Sequence, residues 1–329
     1  MKFIFKILSI ILPLLLLNLV CSCSVDKIAK SGIEIKRFEL DVNNYSKMSE
    51  LQKNEFKQKY SDIITLLYQE KCRNSNDIDS VISNIPSTAI YTAFYIDVKN
   101  RFNSLDTLEM ILTEIHNNII PVFPAYRFPQ IKSYITPYNQ SVIVTDSTLL
   151  IGLNHYLGAH HPMYEYYEPY QRINKTASQI PYNVAEAIVR RNTEKIEKEK
   201  TLLEAMIYEG LVAYITKQII PENADGNIFG YTISQEKWCK TNEKEIWRKL
   251  ISQDILYSKS KMIHEQMLTP SPFTILISQD SPGAMGRWIG LQIIESYVDN
   301  NTIDNVTQLC SDILNAESQT ILMKSKYEG

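Results

Sequence analysis

Residues 202–215, LLEAMIYEGLVAYI, read as a helix that is apolar on almost every face and carries one carboxylate, Glu209, at its middle. A segment of that kind sits at the centre of a fold, and the rest of the chain is organised around it. Thr201 and Glu204 have the spacing of a capping box, which satisfies two otherwise orphaned N–H groups at the helix start, and Pro221 bounds its far end. The helical neighbours of Glu209 are Ala205, Met206, Val212 and Ala213, all apolar. A carboxylate in such a stripe either meets a cation, a donor or a metal, or opens onto a solvent groove. Glu204 is an ordinary first-turn acid beside a helix N-terminus.

The first residues are of a different kind. Lys2 and Lys6 precede an apolar run over 7–20 that is too short to span a bilayer, and Cys21, Ser22 and Cys23 come directly after it. Val20 at −3 and Ser22 at −1 make Cys23 the better lipidation site, so the pattern resembles a bacterial lipoprotein signal, with acyl chains on Cys23 anchoring a soluble domain. A plain secretory signal is the alternative. Removal of residues 1–22 leaves 307 residues and a net charge of −5, which gives no basis for nucleic-acid binding. Cys72, Cys239 and Cys310 then remain beside the lipidated cysteine. An odd number at these spacings supports neither a disulfide framework nor a thiolate metal site.

The expected organisation is a signal peptide over 1–22, the lipidated cysteine and a polar tether over 23–33, a helical region over 34–130, and a strand-plus-helix region over 131–329 continuous with it. Residues 38–70 carry apolar positions at helical spacing, 74–86 read as a polar break, and a helix is expected over 105–118 with Ser104 as cap. Short β-branched runs, SYITP, SVIVTD and STLLIGLN, predict two or three strands. Next comes an aromatic segment with Tyr156, Tyr164, Tyr166, Tyr167 and Tyr170, either a stacking surface for a glycan or peptide or a loop core with hydroxyls outward. Beyond it the chain reads as helical. A helix from Tyr182 to about Lys198 ends in a charged run that reads as a solvated face; Thr232 or Ser234 caps a long helix; Ser258 caps a shorter one ending at Leu268. Ser281 before Pro282 begins a last helix containing Gly283, Gly286 and Gly290, whose cost of about 1 kcal/mol each implies close approach of another backbone. Arg287 among them is the candidate counter-charge of Glu209. The fold class is therefore α+β, predominantly helical with one small sheet.

Four segments in order, YITPYNQSVIVTDSTLLIGLNHYLG, LLEAMIYEGLVAYI, YTISQEKWCKTNEKEIWRKLI and SPGAMGRWIGLQIIESY, resemble the gliding motility lipoproteins of the GldB type in the Bacteroidetes. The resemblance implies a cell-envelope lipoprotein supporting gliding or the associated type IX protein secretion, with membrane attachment through Cys23, envelope proteins as partners, and no settled enzymatic activity. Ser24 and the residues after it lack a strong acidic retention signal, which points to the outer membrane facing the periplasm. Asn154 departs from the pattern, where an acid is expected in I-G-L-D. A second resemblance, at the level of fold, is to zinc metallopeptidases of the gluzincin type. It places Glu209 at a third-ligand position and sets Ala185, Glu186 and Val189 in register with H-E-x-x-H. Both histidines are then absent, zinc affinity collapses, and the body reads as a degenerate, zincin-like pseudo-peptidase with no resident cofactor.

The candidate cleft residues are Glu209, Glu186, Arg287, His155, Tyr156 and Asn154. The leading reading is non-enzymatic binding of a protein, peptide or glycan in a cleft between the strands and the Glu209 helix. A metal-dependent hydrolase using His155 or His160 as a substitute ligand is the second reading. In the third, Glu209 is a satisfied core carboxylate and the outer surface does the work.

Overall fold

A computed structural model describes residues 32–73, 77–136, 138–193 and 200–329. Residues 34–329 form one compact unit. Cys23 and the signal segment lie outside the described residues, as does most of the charged run after Arg191.

One mixed sheet contains β1 (Ile35–Arg37), β2 (Gln130–Tyr134), β3 (Val142–Val144) and β4 (Thr148–Gly152), in the order β1-β2-β4-β3. β1 and β2 run parallel, as do β2 and β4, while β3 pairs antiparallel with β4. All five residues of β4 are buried. That is the condition of a central strand covered on both faces, and it explains why Leu149, Leu150 and Ile151 form an apolar run without alternation. Between β3 and β4 a three-residue turn is closed by the Thr145 N–H on the Thr148 carbonyl, 2.8 Å, and the Thr148 N–H on Thr145 Oγ1, 3.0 Å. At the other edge, the Ile35 N–H donates to Glu109 Oε1 at 2.8 Å, so a side chain occupies a donor that an edge strand would otherwise expose.

Between β1 and β2 lie α1 (Glu50–Lys59), α2 (Ser61–Arg73), α3 (Ile78–Asn84), α4 (Ala89–Arg101) and α5 (Asp106–Ile119). After β4 come α6 (Ile180–Thr193), α7 (Leu202–Ile219), α8 (Ile233–Ser252), α9 (Lys261–Leu268), α10 (Met285–Asn300), α11 (Val306–Asn315) and α12 (Ser318–Ser325). The architecture is α+β and mostly helical. α7 lies at its centre: eleven of its 18 residues are buried, and it packs against α5, α6, α9, α10, α11 and α12. Each large apolar side chain taken out of water there contributes about 1.5–3 kcal/mol. Its closest neighbour is α10. A Cβ on Gly210 would stand 2.1 Å from the Gly290 carbonyl, and one on Gly290 would stand 1.8 Å from the Met206 carbonyl oxygen. The two backbones therefore touch, as the glycine spacing predicts.

The capping boxes at Thr201/Glu204 and Thr232/Gln235 are formed. Other boundaries differ for identifiable reasons. α10 begins at Met285, not at Pro282, because Ala284 is left-handed (φ 56°) and the Met285 N–H is capped from a distant loop by Thr274 Oγ1 at 3.1 Å. Ser281 spends its hydroxyl on that same loop, accepting from the Thr274 N–H at 3.0 Å. α9 begins at Lys261, since the Ser258 carbonyl is turned toward the Leu202 N–H at the start of α7, 2.9 Å away. The expected polar break contains α3, started by Asp77, whose carboxylate accepts from the N–H groups of Asp79 and Ser80. α4, α11 and α12 fall in regions expected to be helical without being singled out, and β1 corrects the helical expectation for 34–130: it is a strand because β2 supplies its partner. Among the described residues no helix is long and apolar enough to cross a membrane.

Candidate functional site

Four side chains from three helices meet beside α7. Glu186 and Arg190 stand one turn apart on α6, where i,i+4 spacing puts an acid and a base on one face; Glu209 comes from α7 and Arg287 from the first turn of α10. Arg190 takes Glu209 with a two-pronged grip, Nη1 to Oε1 at 2.8 Å and Nη2 to Oε2 at 2.5 Å. The Glu186 Oε1 atom accepts from Arg190 Nε at 3.0 Å, Arg190 Nη2 at 2.8 Å and Arg287 Nη2 at 2.7 Å. Arg287 Nε lies 3.0 Å from Glu209 Oε2, but its N–H is not aligned for a hydrogen bond, so this contact is an ion pair alone. The network is formally neutral. Burial by itself would raise the Glu209 pKa; hydrogen bonds and charge from Arg190, with the charge of Arg287, outweigh it and hold the carboxyl below its ordinary value. Burial likewise opposes the charge on Arg190, and the two carboxylates reverse that effect.

A second cluster surrounds the end of β4. Asn154 clasps Thr136 beyond β2, accepting its N–H at 2.9 Å and donating to its carbonyl at 3.1 Å. A carboxylate at this position would lack the donor, so the asparagine fits this clasp as an acid would not. His155 Nε2 lies 3.0 Å from the Tyr138 carbonyl and Nδ1 3.3 Å from Lys175 Nζ. These partners assign the neutral tautomer with the proton on Nε2. Burial, the Lys175 charge and, in opposition, the Tyr138 carbonyl leave the His155 pKa lowered to about 4. The Lys175 ammonium sits 4.1 Å from the Tyr167 ring centre and 5.2 Å from that of Tyr164. Tyr164 is buried with its hydroxyl donating to the Asn154 carbonyl at 2.5 Å, whereas Tyr166 is 74 % exposed. Tyr156 accepts from Asn183 at 2.8 Å, on the stripe of α6 that also carries Glu186 and Arg190. His161 pairs with Asp97, and His160 is exposed.

The structure thus brings Glu186, Glu209 and Arg287 together and places Asn154 and His155 in a separate cluster, with Tyr156 leaning on the α6 stripe between them. The residues present do not fit a zinc ion. Ala185 and Val189 are completely buried in the core, a divalent ion at Glu209 would have to displace two guanidinium groups, and both nitrogens of His155 are engaged. Among the described residues no group of three or more His, Cys, Asp and Glu converges on one point.

The family described as gliding motility protein GldB matches over residues 22–329. The chain belongs to that family. No curated protein and no solved structure matches it, so the peptidase-like architecture has no support from comparison. GldB membership makes the chain a gliding-motility-associated lipoprotein of the cell envelope, and the GldB match begins one residue before Cys23.

Sequence reasoning missed Arg190, which stands at the head of a charged run and shares its look of solvated surface. Its i,i+4 relation to Glu186 is the signal that singles it out. The open space near the network also differs from expectation. Two grooves of about 510 and 270 Å³ flank the 226–232 segment along α10, not the space between the strands and α7, and Phe229 lines both.

Proposed function

We propose that this GldB-family lipoprotein acts in the outer membrane, facing the periplasm, and supports gliding or the associated protein secretion by binding a protein or peptide partner without catalysing a reaction. The observation that carries this reading is the engagement of both Glu209 oxygens, and of Glu186 Oε1, by Arg190 and Arg287. A general base or a metal ligand at Glu209 needs a lone pair free to act. Here the two carboxylates hold α6, α7 and α10 in register behind the grooves.

Metal content and motility test this together. The full chain, purified in detergent and washed with a mild chelator, should carry no stoichiometric zinc, and neither should its Glu209→Gln variant. In cells lacking the native copy, Glu209→Gln should restore colony spreading in proportion to the folded protein present. Stoichiometric zinc lost in the variant, or lost spreading at a normal level of folded protein, would overturn the binding reading.

A further inference from the structure

The groove of about 270 Å³ beside the network has a chemistry of its own. Its walls are Pro169, Tyr170, Ile173 and Asn174 on one side, the 229–235 segment on another, and Pro270, Ser271, Gly283 and Ala284 on a third. Arg287 is the one charged residue among those that line it. The Arg287 side chain is 13 % exposed, with its guanidinium carbon 5.9 Å from the centre of the Phe229 ring. Nη2 is spent on Glu186, Nε is ion-paired with Glu209 Oε2 at 3.0 Å without an aligned hydrogen bond, and among the described residues Nη1 has no hydrogen-bond partner. A guanidinium fixed on one edge and open on another is a preorganised receptor for an oxyanion, because little side-chain freedom remains to be lost on binding.

Further donors line the same groove. The Tyr170 hydroxyl, Asn174 Nδ2 and Gln235 Nε2 have no hydrogen-bond partner among the described residues; Gln235 uses only its Oε1, to accept from the Thr232 N–H at 2.9 Å. Gly283 and Ala284 bring the positive end of the 16-residue helix α10 to the wall. Between these donors the lining is apolar: Pro169, Ile173, Phe229, Pro270 and Ala284. A ligand that satisfies both halves carries one carboxylate on an apolar body. The space holds little more than one such residue. The second groove, lined by Trp288, Leu291 and Gln292 on the next turns of α10, leaves room for a chain to continue past Phe229.

We propose that this groove captures the C-terminal carboxylate of an extended peptide or protein tail ending in an apolar residue, with Arg287 Nη1 as the anchoring donor. The inference rests on the binding reading above and names the class of partner. Peptide C-termini are recognised elsewhere by convergent N–H donors beside a pocket for the last side chain.

The probe is a fluorescently labelled hexapeptide ending in leucine, prepared as the free acid and as the carboxamide, titrated against the full chain in detergent. The free acid should bind at least tenfold more tightly than the amide, with an advantage that shrinks as salt rises. Ile173 is 43 % exposed and outside the network; Ile173→Glu places an acid in the groove without touching the core and should abolish the preference. Arg287→Lys should weaken acid binding at least tenfold and shrink the advantage of the acid over the amide below threefold, and its melting curve reports separately on folding. Equal binding of acid and amide, or no saturable binding of either, overturns the carboxylate proposal. Either result is distinguishable from failure of the binding reading, which the zinc and spreading measurements address. Equal binding of free acetate and peptide overturns the assignment to a polypeptide tail.

Discussion

At the scale of single residues, the most consequential group is Glu209, and a lone acid in an apolar stripe is enough to find it. Its cationic partner Arg287 is legible from the rarity of bases among the apolar helices. Arg190 is legible only through its i,i+4 relation to Glu186, because the residues after it carry the appearance of a solvated face. Removing one member of a buried ion network leaves the others uncompensated, so Glu209→Gln should destabilise the fold by about 3 kcal/mol, measured by chemical denaturation. Replacing Glu209 and Arg190 together with apolar residues of similar volume should cost less than the sum of the singles, and a double-mutant cycle reads that coupling. The pH dependence has a definite sign. The Glu209 carboxyl is held below its unfolded value, so its contribution is complete above the ordinary carboxylate range and is lost as pH falls through the folded pKa. His155 acts in a higher window: with a folded pKa of about 4 against an ordinary 6.5, it lowers stability as pH falls from 6.5 towards 4, by up to about 3 kcal/mol. His155→Gln should flatten the stability curve across that window; an unchanged slope would contradict the neutral, carbonyl-bound imidazole.

At the scale of elements, patterns that depend on a few adjacent residues are readable, and those that depend on distant partners are not. The capping boxes of α7 and α8 lie within four residues each, and both form. The start of α10 depends on Thr274, eleven residues before Met285 and in a different loop, which no local pattern reveals. β1 has three residues and becomes a strand only because β2, nearly a hundred residues later, supplies its partner. In α4, Tyr91, Phe94 and Val98 are buried while Ile96 is 60 % exposed, so the apolar positions trace no single stripe. The glycine pair between α7 and α10 is half legible: three glycines in one segment signal close approach, but not which backbone meets them. Gly290→Ala forces a methyl group onto the Met206 carbonyl, and Gly210→Ala forces one onto Gly290. Either should cost more than about 3 kcal/mol or prevent folding, since a backbone cannot yield as a side chain does. Thr201→Ala, which removes one cap and no packing, should cost about 1 kcal/mol. If the alanine variants at Gly210 and Gly290 melted within a degree or two of the parent, the α7–α10 contact would not have the geometry described.

At the scale of the whole molecule, the sheet, the α7 bundle and the grooves belong to one compact unit, and the predicted anchor at Cys23 lies outside the described residues. The family match begins at residue 22 and runs to residue 329, which places Cys23 and the folded unit within one inherited whole. If anchoring and binding are separate duties, they should separate under mutation. A single acyl chain gives only marginal membrane attachment, so stable anchoring of a lipoprotein depends on the several chains carried by its first cysteine. Cys23→Ser should therefore move the chain from the membrane to the soluble fraction, with no change in the melting of the folded unit or in its preference for the free-acid peptide. Spreading should nevertheless be lost, because a soluble receptor no longer holds its captured partner at the envelope. Retention in the membrane fraction of variant chains whose signal segment has been removed would mean that the folded unit, or a partner bound to it, supplies the attachment, and the anchor would then be redundant with the binding surface.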